Sequence, residues 1–250
     1  MNNEIKEIYS NGWYEFFKKY KSIDPSLSVS DIDPQIDLKS FSEKDLRTYK
    51  GQTNNHLIYL NCIEPHIRGR TALEIGPGRG TITRTLLRLG AEHIECMDIM
   101  PPEEVGFYEY VGNYDKIIYH QVGDFSCDCL EDNKFDYFIS VGTFNHISLE
   151  GHDQYFCNLY PKFKKDFIGF LMVSDLLAYQ KKNHTLKELK YLSIRMLHRV
   201  KDYEESDRMA GHWRYVGLEN VLNILRKYNY KVINKDVDCH GRDPIIQFTK

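Results

Sequence analysis

The sequence predicts an α/β protein built on a mostly parallel sheet flanked by helices. Three observations predict it. Seven short apolar, strand-like runs recur from Thr71 to the C-terminus. Helix-compatible segments separate several of them, the alternation that gives parallel sheets wrapped by helices. A glycine-rich loop sits directly behind the first run and opens a helix, the place where α/β sheets bind ligands.

The front third is different in texture. Residues 1–20 read as a helix with Trp13, Phe16, Phe17 and Tyr20 on one face, which Gly12 interrupts. Residues 22–41 read as a loop rich in Ser, Asp and Pro. Ser42 with Asp45 forms an N-cap signature, and the helix that follows is expected to end between Pro65 and Gly69. Residues 1–69 are therefore expected to form a helical N-terminal cap and residues 70–250 the main domain.

The seven strand-like runs are 71–75, 93–98, 116–122, 135–141, 167–173, 231–237 and 244–249. Several are apolar on both faces, as buried parallel strands are. The last two are expected to pair as a hairpin at the sheet edge. Between the first two runs, Thr81 to Leu89 places Ile82, Leu86 and Leu89 on one stripe, with Arg84 and Arg88 outside and Gly90 as a stop. Near the end, Leu218, Val221, Leu222 and Leu225 follow helical spacing, and Asn229 stands where a left-handed C-cap is wanted. A helical insertion over 178–212 is expected after the fifth strand.

The bulk properties narrow the function classes. With 250 residues and 42% hydrophobic content the chain can bury a core. A net charge of −3 gives no basic footprint for nucleic acid. The longest apolar run, Phe167 to Val173, is far short of the ~20 residues a membrane span needs. The start, M-N-N-E-I-K-E, lacks the apolar core of a signal peptide. The six cysteines form no C-x-x-C pair and read as reduced thiols. A cytoplasmic protein without membrane or nucleic-acid partners is expected; a homo-oligomer is compatible with the sequence.

The stretch A-L-E-I-G-P-G-R-G-T-I-T, Ala72 to Thr83, carries the strongest chemical signal. It lays backbone N–H groups and the positive end of a helix dipole at a strand's C-terminal edge. Its glycines are expected to let a polar, nucleoside-containing ligand lie against the main chain. A dinucleotide fingerprint would require Gly where Thr81 stands, and no G-K-[ST] of a phosphate-binding loop is present. The pattern instead runs Glu74, Gly76, Gly78, Gly80.

That pattern resembles the first motif of class I S-adenosylmethionine-dependent methyltransferases. The resemblance covers roughly residues 70–175, with a weaker echo over 212–250. Asp98 ends the second strand, where the family holds the ribose hydroxyls. V-G-D-F, Val122 to Phe125, is similar to the segment that reads adenine, through Asp124 and Phe125. F-D-Y-F-I-S-V-G-T-F-N-H-I, 135–147, is similar to the fourth-strand motif beside the transferred methyl group, and H-W-R-Y, 212–215, precedes the final helix as in many members. The resemblance implies a Rossmann-like seven-stranded sheet, S-adenosyl-L-methionine as cofactor with S-adenosyl-L-homocysteine as product, and a cofactor-binding set of Glu74, Gly76, Gly78, Gly80, Asp98, Ile99, Asp124, Phe125 and Val141.

The reaction implied is in-line displacement at a sulfonium methyl, in which the protein aligns the nucleophile and excludes water. His146, just after the fourth strand, is the first candidate base and His212 the second, since histidine titrates in the useful range. His146 as a helix cap or local packing residue is the alternative. Asp175, at the end of the fifth strand, is read as orienting a base, binding substrate or capping the next turn. Between Ala178 and Lys201 seven Lys or Arg residues face one acid, Glu188. That suits a phosphorylated or nucleotide-linked sugar as small-molecule substrate, or a solvated face complementing the acids of 202–207.

The base-amine and cytosine C5 nucleic-acid methyltransferase motifs are absent, and no metal ligand set is expected. The remaining class is O- or N-methylation of a small metabolite, with bacterial surface-polysaccharide or secondary metabolism as the expected setting. The alternatives are a nicotinamide-dependent oxidoreductase and a non-catalytic S-adenosylmethionine-binding protein.

Overall fold

The computed structural model describes residues 57–175, 216–240 and 243–250. The expected helix over 1–20, the Ser42 cap, most of the N-terminal cap region and the whole of the 178–212 insertion lie outside the described residues.

Seven strands form one sheet: β1 Thr71–Ile75, β2 His93–Asp98, β3 Ile117–Gln121, β4 Phe135–Ser140, β5 Phe163–Met172, β6 Lys231–Asn234 and β7 Ile245–Thr249. Their order across the sheet is β3-β2-β1-β4-β5-β7-β6. All neighbouring pairs among β1 to β5 are parallel, whereas β7 runs antiparallel to both β5 and β6. The last two strands do form a hairpin at the edge, but its second strand lies inside. The crossover from β5 to β6 leaves a gap one strand wide, and the chain returns to fill it.

The helices among the described residues are α1 Thr81–Arg88, α2 Pro102–Val105, α3 Phe107–Val111, α4 Leu149–Leu159 and α5 Leu218–Lys227. A π-helical turn, Tyr59–Ile63, precedes β1, so the helical stretch ahead of the sheet ends at Ile63, short of the Pro65–Gly69 stop that the sequence predicts. Gly90 (φ +90) stops α1, and Asn229 (φ 62) takes the left-handed position after α5. There the Asn229 and Tyr230 N–H groups close on the Arg226 and Leu225 carbonyls.

Alternation along the strands divides the core. Leu73, Met97, Phe138 and Leu171 face a layer made by α4 and α5. Ala72, Ile94, Cys96 and Ile139 face the other, with Leu86, Phe107, Cys62 and Ile63. The first layer is aromatic: Phe163 stacks on Phe167 at 4.2 Å, and Phe156, Tyr230 and Phe248 close around them edge-on. Gly169 permits this, because a Cβ there would lie 2.7 Å from the Phe248 ring.

Two local readings need correction. The buried side of α1 is Thr83, Thr85 and Leu86, with Ile82 and Leu89 only half-buried. Thr83 turns inward because its hydroxyl has a buried partner, described below. β5 starts at Phe163, four residues earlier than its apolar run, because a register shift against β4 between Phe135 and Tyr137 lets the strand begin at an exposed polar stretch.

Candidate functional site

The C-terminal ends of β1, β2 and β4 meet where the strand order reverses, between β1 and β4. In open α/β sheets this switch point is the crevice that holds ligands. Register fixes what arrives there. Ile75 pairs with Met97, so Gly76 lies beside the end of β2 and its N–H donates to the Met97 carbonyl at 2.8 Å. The next residue of β2 is Asp98, whose carboxylate accepts the Gly78 N–H at 3.2 Å and the Met100 N–H at 3.0 Å. Each oxygen takes one of these bonds. Desolvation pushes the Asp98 carboxyl up to about 6, against the backbone hydrogen bonds that hold it down.

The glycines serve the chain itself as well. Gly76 has φ +72, and a Cβ there would lie 1.9 Å from Thr143 Oγ1. Thr143 in turn donates to the Gly76 carbonyl at 3.1 Å. The turn after β4 is thus docked on the glycine loop, helped by Ser140, which donates to the Ile75 carbonyl at 2.7 Å. Gly80 (φ +98) gives its space to Val111 of α3. Close approach at Gly76 and Gly80 is therefore by protein side chains, which corrects the expectation that a ligand needs all three bare. Gly78 (φ 53) turns its N–H to Asp98.

Glu74 points to the α1 side of the sheet, 3% exposed, and accepts the Thr83 hydroxyl at 2.6 Å. Burial pushes its carboxyl up to about 8; the Thr83 bond works against this and the Asp98 charge adds to it. Glu74 therefore braces the glycine loop from below as a neutral acid at pH 7.

Ile99 is half-buried after Asp98, and its carbonyl accepts from the Gln121 side chain at 3.3 Å. Asp124 is exposed after β3 and its carboxylate accepts the Ser126 N–H at 2.9 Å, a local turn. Phe125 leans on Tyr155 of α4 with ring centroids 4.8 Å apart. Gly151 makes room, since a Cβ there would lie 3.0 Å from the Phe125 ring. Val141 is half-buried at the end of β4.

His146 closes a 3-10 turn, Phe144–His146, and is 7% exposed. It does not cap α4: Ser148 does, accepting the Gly151 N–H at 3.2 Å. Asp175 accepts the Leu218 N–H at 3.0 Å and so caps α5 from the end of β5. His212 and the basic segment 178–201 lie outside the described residues. Asn145, between Phe144 and His146, is fully buried, and neither atom of its side-chain amide has a hydrogen-bond partner among the described residues. Sequence reasoning passed over Asn145, Thr143 and Thr83, and no local signal marks them, since each owes its place to a different part of the chain. Among the described residues no group of three or more His, Cys, Asp or Glu side chains is arranged to hold a metal ion, and no helix is long and apolar enough to cross a membrane.

No protein-family model matches the chain, and no curated protein is detectably similar to it in sequence. Solved structures are similar in fold. An S-adenosylmethionine-dependent methyltransferase from Mesorhizobium loti superimposes with a TM-score of 0.54 at 12% identity, over 74% of this chain and 93% of that one. A TehB-like methyltransferase of the same dependence from Corynebacterium glutamicum gives 0.53 at 16%, over 94% and 98%. Magnesium protoporphyrin IX methyltransferase from Synechocystis, solved with bound S-adenosylhomocysteine, gives 0.52 at 14%, over 95% and 99%. At these identities the likeness shows the fold: the chain has the Rossmann-like, mostly parallel seven-stranded sheet of class I S-adenosylmethionine-dependent methyltransferases.

Proposed function

We propose that the chain is a class I S-adenosylmethionine-dependent methyltransferase acting on an oxygen or nitrogen of a small polar metabolite. One observation carries this reading: the Asp98 carboxylate, fixed by the Gly78 N–H at the switch point of the sheet. A carboxylate fixed by backbone donors at the sheet's edge suits a vicinal diol such as a ribose.

The other residues fit the same ligand. The loop from Gly76 to Gly80 and the N-terminus of α1 present a positive backbone edge, and Glu74 with Thr83 stiffens that loop. Ile99 and Phe125 offer apolar flanks for a base, and Asp124 a carboxylate for its amine. Bound S-adenosylmethionine would supply a methyl group already activated by its sulfonium. The protein then has to hold the acceptor in line and keep water out. His146, on the turn that Thr143 docks to Gly76, would take the proton of an acceptor hydroxyl. The basic stretch 178–201 favours a phosphorylated or nucleotide-linked sugar as acceptor, with surface-polysaccharide or secondary metabolism as its setting, and His212 is the second candidate base.

Calorimetry with S-adenosylhomocysteine, S-adenosylmethionine and NAD tests the reading. Binding of the first two without the third is expected. Binding of NAD alone would replace the proposal with an oxidoreductase. Tritiated-methyl transfer to candidate acceptors then separates an enzyme from a cofactor-binding scaffold.

A further inference from the structure

The turn after β4 holds a polar group that the packing leaves unused. Among the described residues, three buried side-chain polar atoms have no hydrogen-bond partner: Asn145 Nδ2, Asn145 Oδ1 and His152 Nε2. All three lie between the turn and the first residues of α4, and both side chains are fully buried. A buried amide that hydrogen-bonds nothing is costly, and native interiors keep few of them. A leucine would fill the same space without that cost.

The turn itself gives Asn145 its direction. The His146 N–H donates to the Thr143 carbonyl at 3.0 Å, closing one turn of 3-10 helix. Successive side chains on such a turn point about 120° apart, and the first and fourth share a side. Thr143 faces Gly76. Phe144 enters the aromatic layer, its ring centroid 5.3 Å from that of Tyr155 and 5.6 Å from that of Phe156. His146 comes round to the Thr143 side, toward the glycine loop. Asn145 takes the remaining direction, away from the loop and the aromatic layer, on a turn that packs against β5. His152 is placed differently. Its Nδ1–H donates to the Ser148 carbonyl at 2.9 Å and its ring lies edge-on to Phe144 at 4.9 Å, so its bare nitrogen belongs to the aromatic layer.

We infer that Asn145 receives the methyl acceptor and selects a neutral polyol, methylated on oxygen; this rests on the methyltransferase reading above. The turn that carries Asn145 and His146 walls the crevice between β1 and β4. A primary amide offers a donor and an acceptor and no charge. A pair of hydroxyls can satisfy both ends, whereas a carboxylate or phosphate only accepts and would leave Oδ1 unpaired. Nδ2 donates to the attacking oxygen and holds it in line, and Oδ1 accepts from a neighbouring hydroxyl of the same molecule. In the step, the acceptor oxygen bonds to the methyl carbon as the carbon–sulfur bond breaks. The electron pair of that bond stays on sulfur, and the hydroxyl proton passes to His146. A donor at the attacking oxygen also steadies the charge that develops as the proton leaves. No hydrogen bond fixes which end of the amide faces the crevice, so rotation about the Cβ–Cγ bond can present either one.

Two measurements on the full-length protein test this. The first is thermal melting without ligand. Asn145→Leu removes an unpaired amide and should raise Tm by roughly 2–4 °C. An unchanged or lower Tm, or a variant that does not fold, overturns the proposal, because the amide then has a structural partner. The second is calorimetry with S-adenosylhomocysteine and with sinefungin, which carries an ammonium-bearing carbon where the sulfonium methyl stands. That ammonium can donate to Oδ1. Asn145→Leu and Asn145→Ala should keep S-adenosylhomocysteine affinity within about twofold and lose about tenfold or more for sinefungin. Equal changes for the two compounds, or none, overturn the assignment of Asn145 while leaving the cofactor reading in place. A parent that binds neither compound removes the methyltransferase reading, and this inference with it.

Discussion

The Gly78 N–H donates to the Asp98 carboxylate across 3.2 Å, tying the middle of the glycine loop to the end of the neighbouring strand. This bond does two things at once. It holds the loop open over the sheet edge, and it orients a carboxylate toward the same space.

Asp98→Ala is expected to weaken S-adenosylhomocysteine binding by about tenfold or more, from the ~1.5–3 kcal/mol typical of hydrogen bonds to charged groups. Calorimetry at pH 7.5 checks it, and unchanged affinity would remove the ribose assignment. The pH dependence has a definite sign. With the carboxyl raised to about 6, acidification from pH 7 to 5 protonates it, so affinity should fall over that interval. Asp98→Asn should show little of this slope.

Glu74 makes a separate prediction about stability. Its proton affinity rises on folding from the ordinary 4.5 to about 8. The folded state therefore binds more protons than the unfolded chain between these values. The stability this contributes is complete below about 4.5 and is lost as pH rises through about 8. Glu74→Gln keeps an acceptor for Thr83 without the charge. Relative to the parent, it should gain several degrees in Tm at pH 8.5 and little at pH 5, since ~1 kcal/mol moves Tm by roughly 2–4 °C at this size. Thermal melts at both pH values decide; a gain that is the same at each would contradict a buried neutral acid.

Gly76 and Gly142 separate steric from conformational cost. Both have positive φ, +72 and +81, but only Gly76 has a neighbour in the space of a Cβ. Gly142→Ala should cost the left-handed penalty of about 1–2 kcal/mol. Gly76→Ala should cost clearly more, because Thr143 must move and its bond to the Gly76 carbonyl goes with it. Urea denaturation of both variants measures the difference. Equal losses would mean that the turn after β4 is not docked on the loop.

His146→Ala should bind S-adenosylhomocysteine as the parent does, yet lose methyl transfer by roughly 10²–10⁴-fold, the range for a removed general base. Single-turnover assays with any acceptor that the parent methylates are sufficient. Normal turnover would leave His146 a packing residue.

Much of this was legible along the chain. β1 and β2 begin and end where their apolar runs do, because a buried parallel strand writes its own boundaries in consecutive residues. Gly90 and Asn229 announced their helix ends, since few other residues tolerate a positive φ. The motif residues Glu74, Asp98 and Asp124 were marked by their places near the end of β1, at the end of β2 and just after β3. Thr83 was not, because its burial follows from Glu74 on another element. Nor was the Thr143 methyl and hydroxyl lodged against Gly76, sixty-seven residues away.

The sequence by itself determined which segments become strands, where the loop at their edge falls, and which polar residues end them. These depend on neighbours within a few positions, through periodicity, chirality and turn chemistry. Only the tertiary structure decided that β7 enters between β5 and β6, that Thr143 rather than a ligand fills the space over Gly76, and that Glu95, His120 and Lys134 meet. Those outcomes rest on contacts between residues far apart in the chain, and such contacts exist only after the sheet has chosen its order and register.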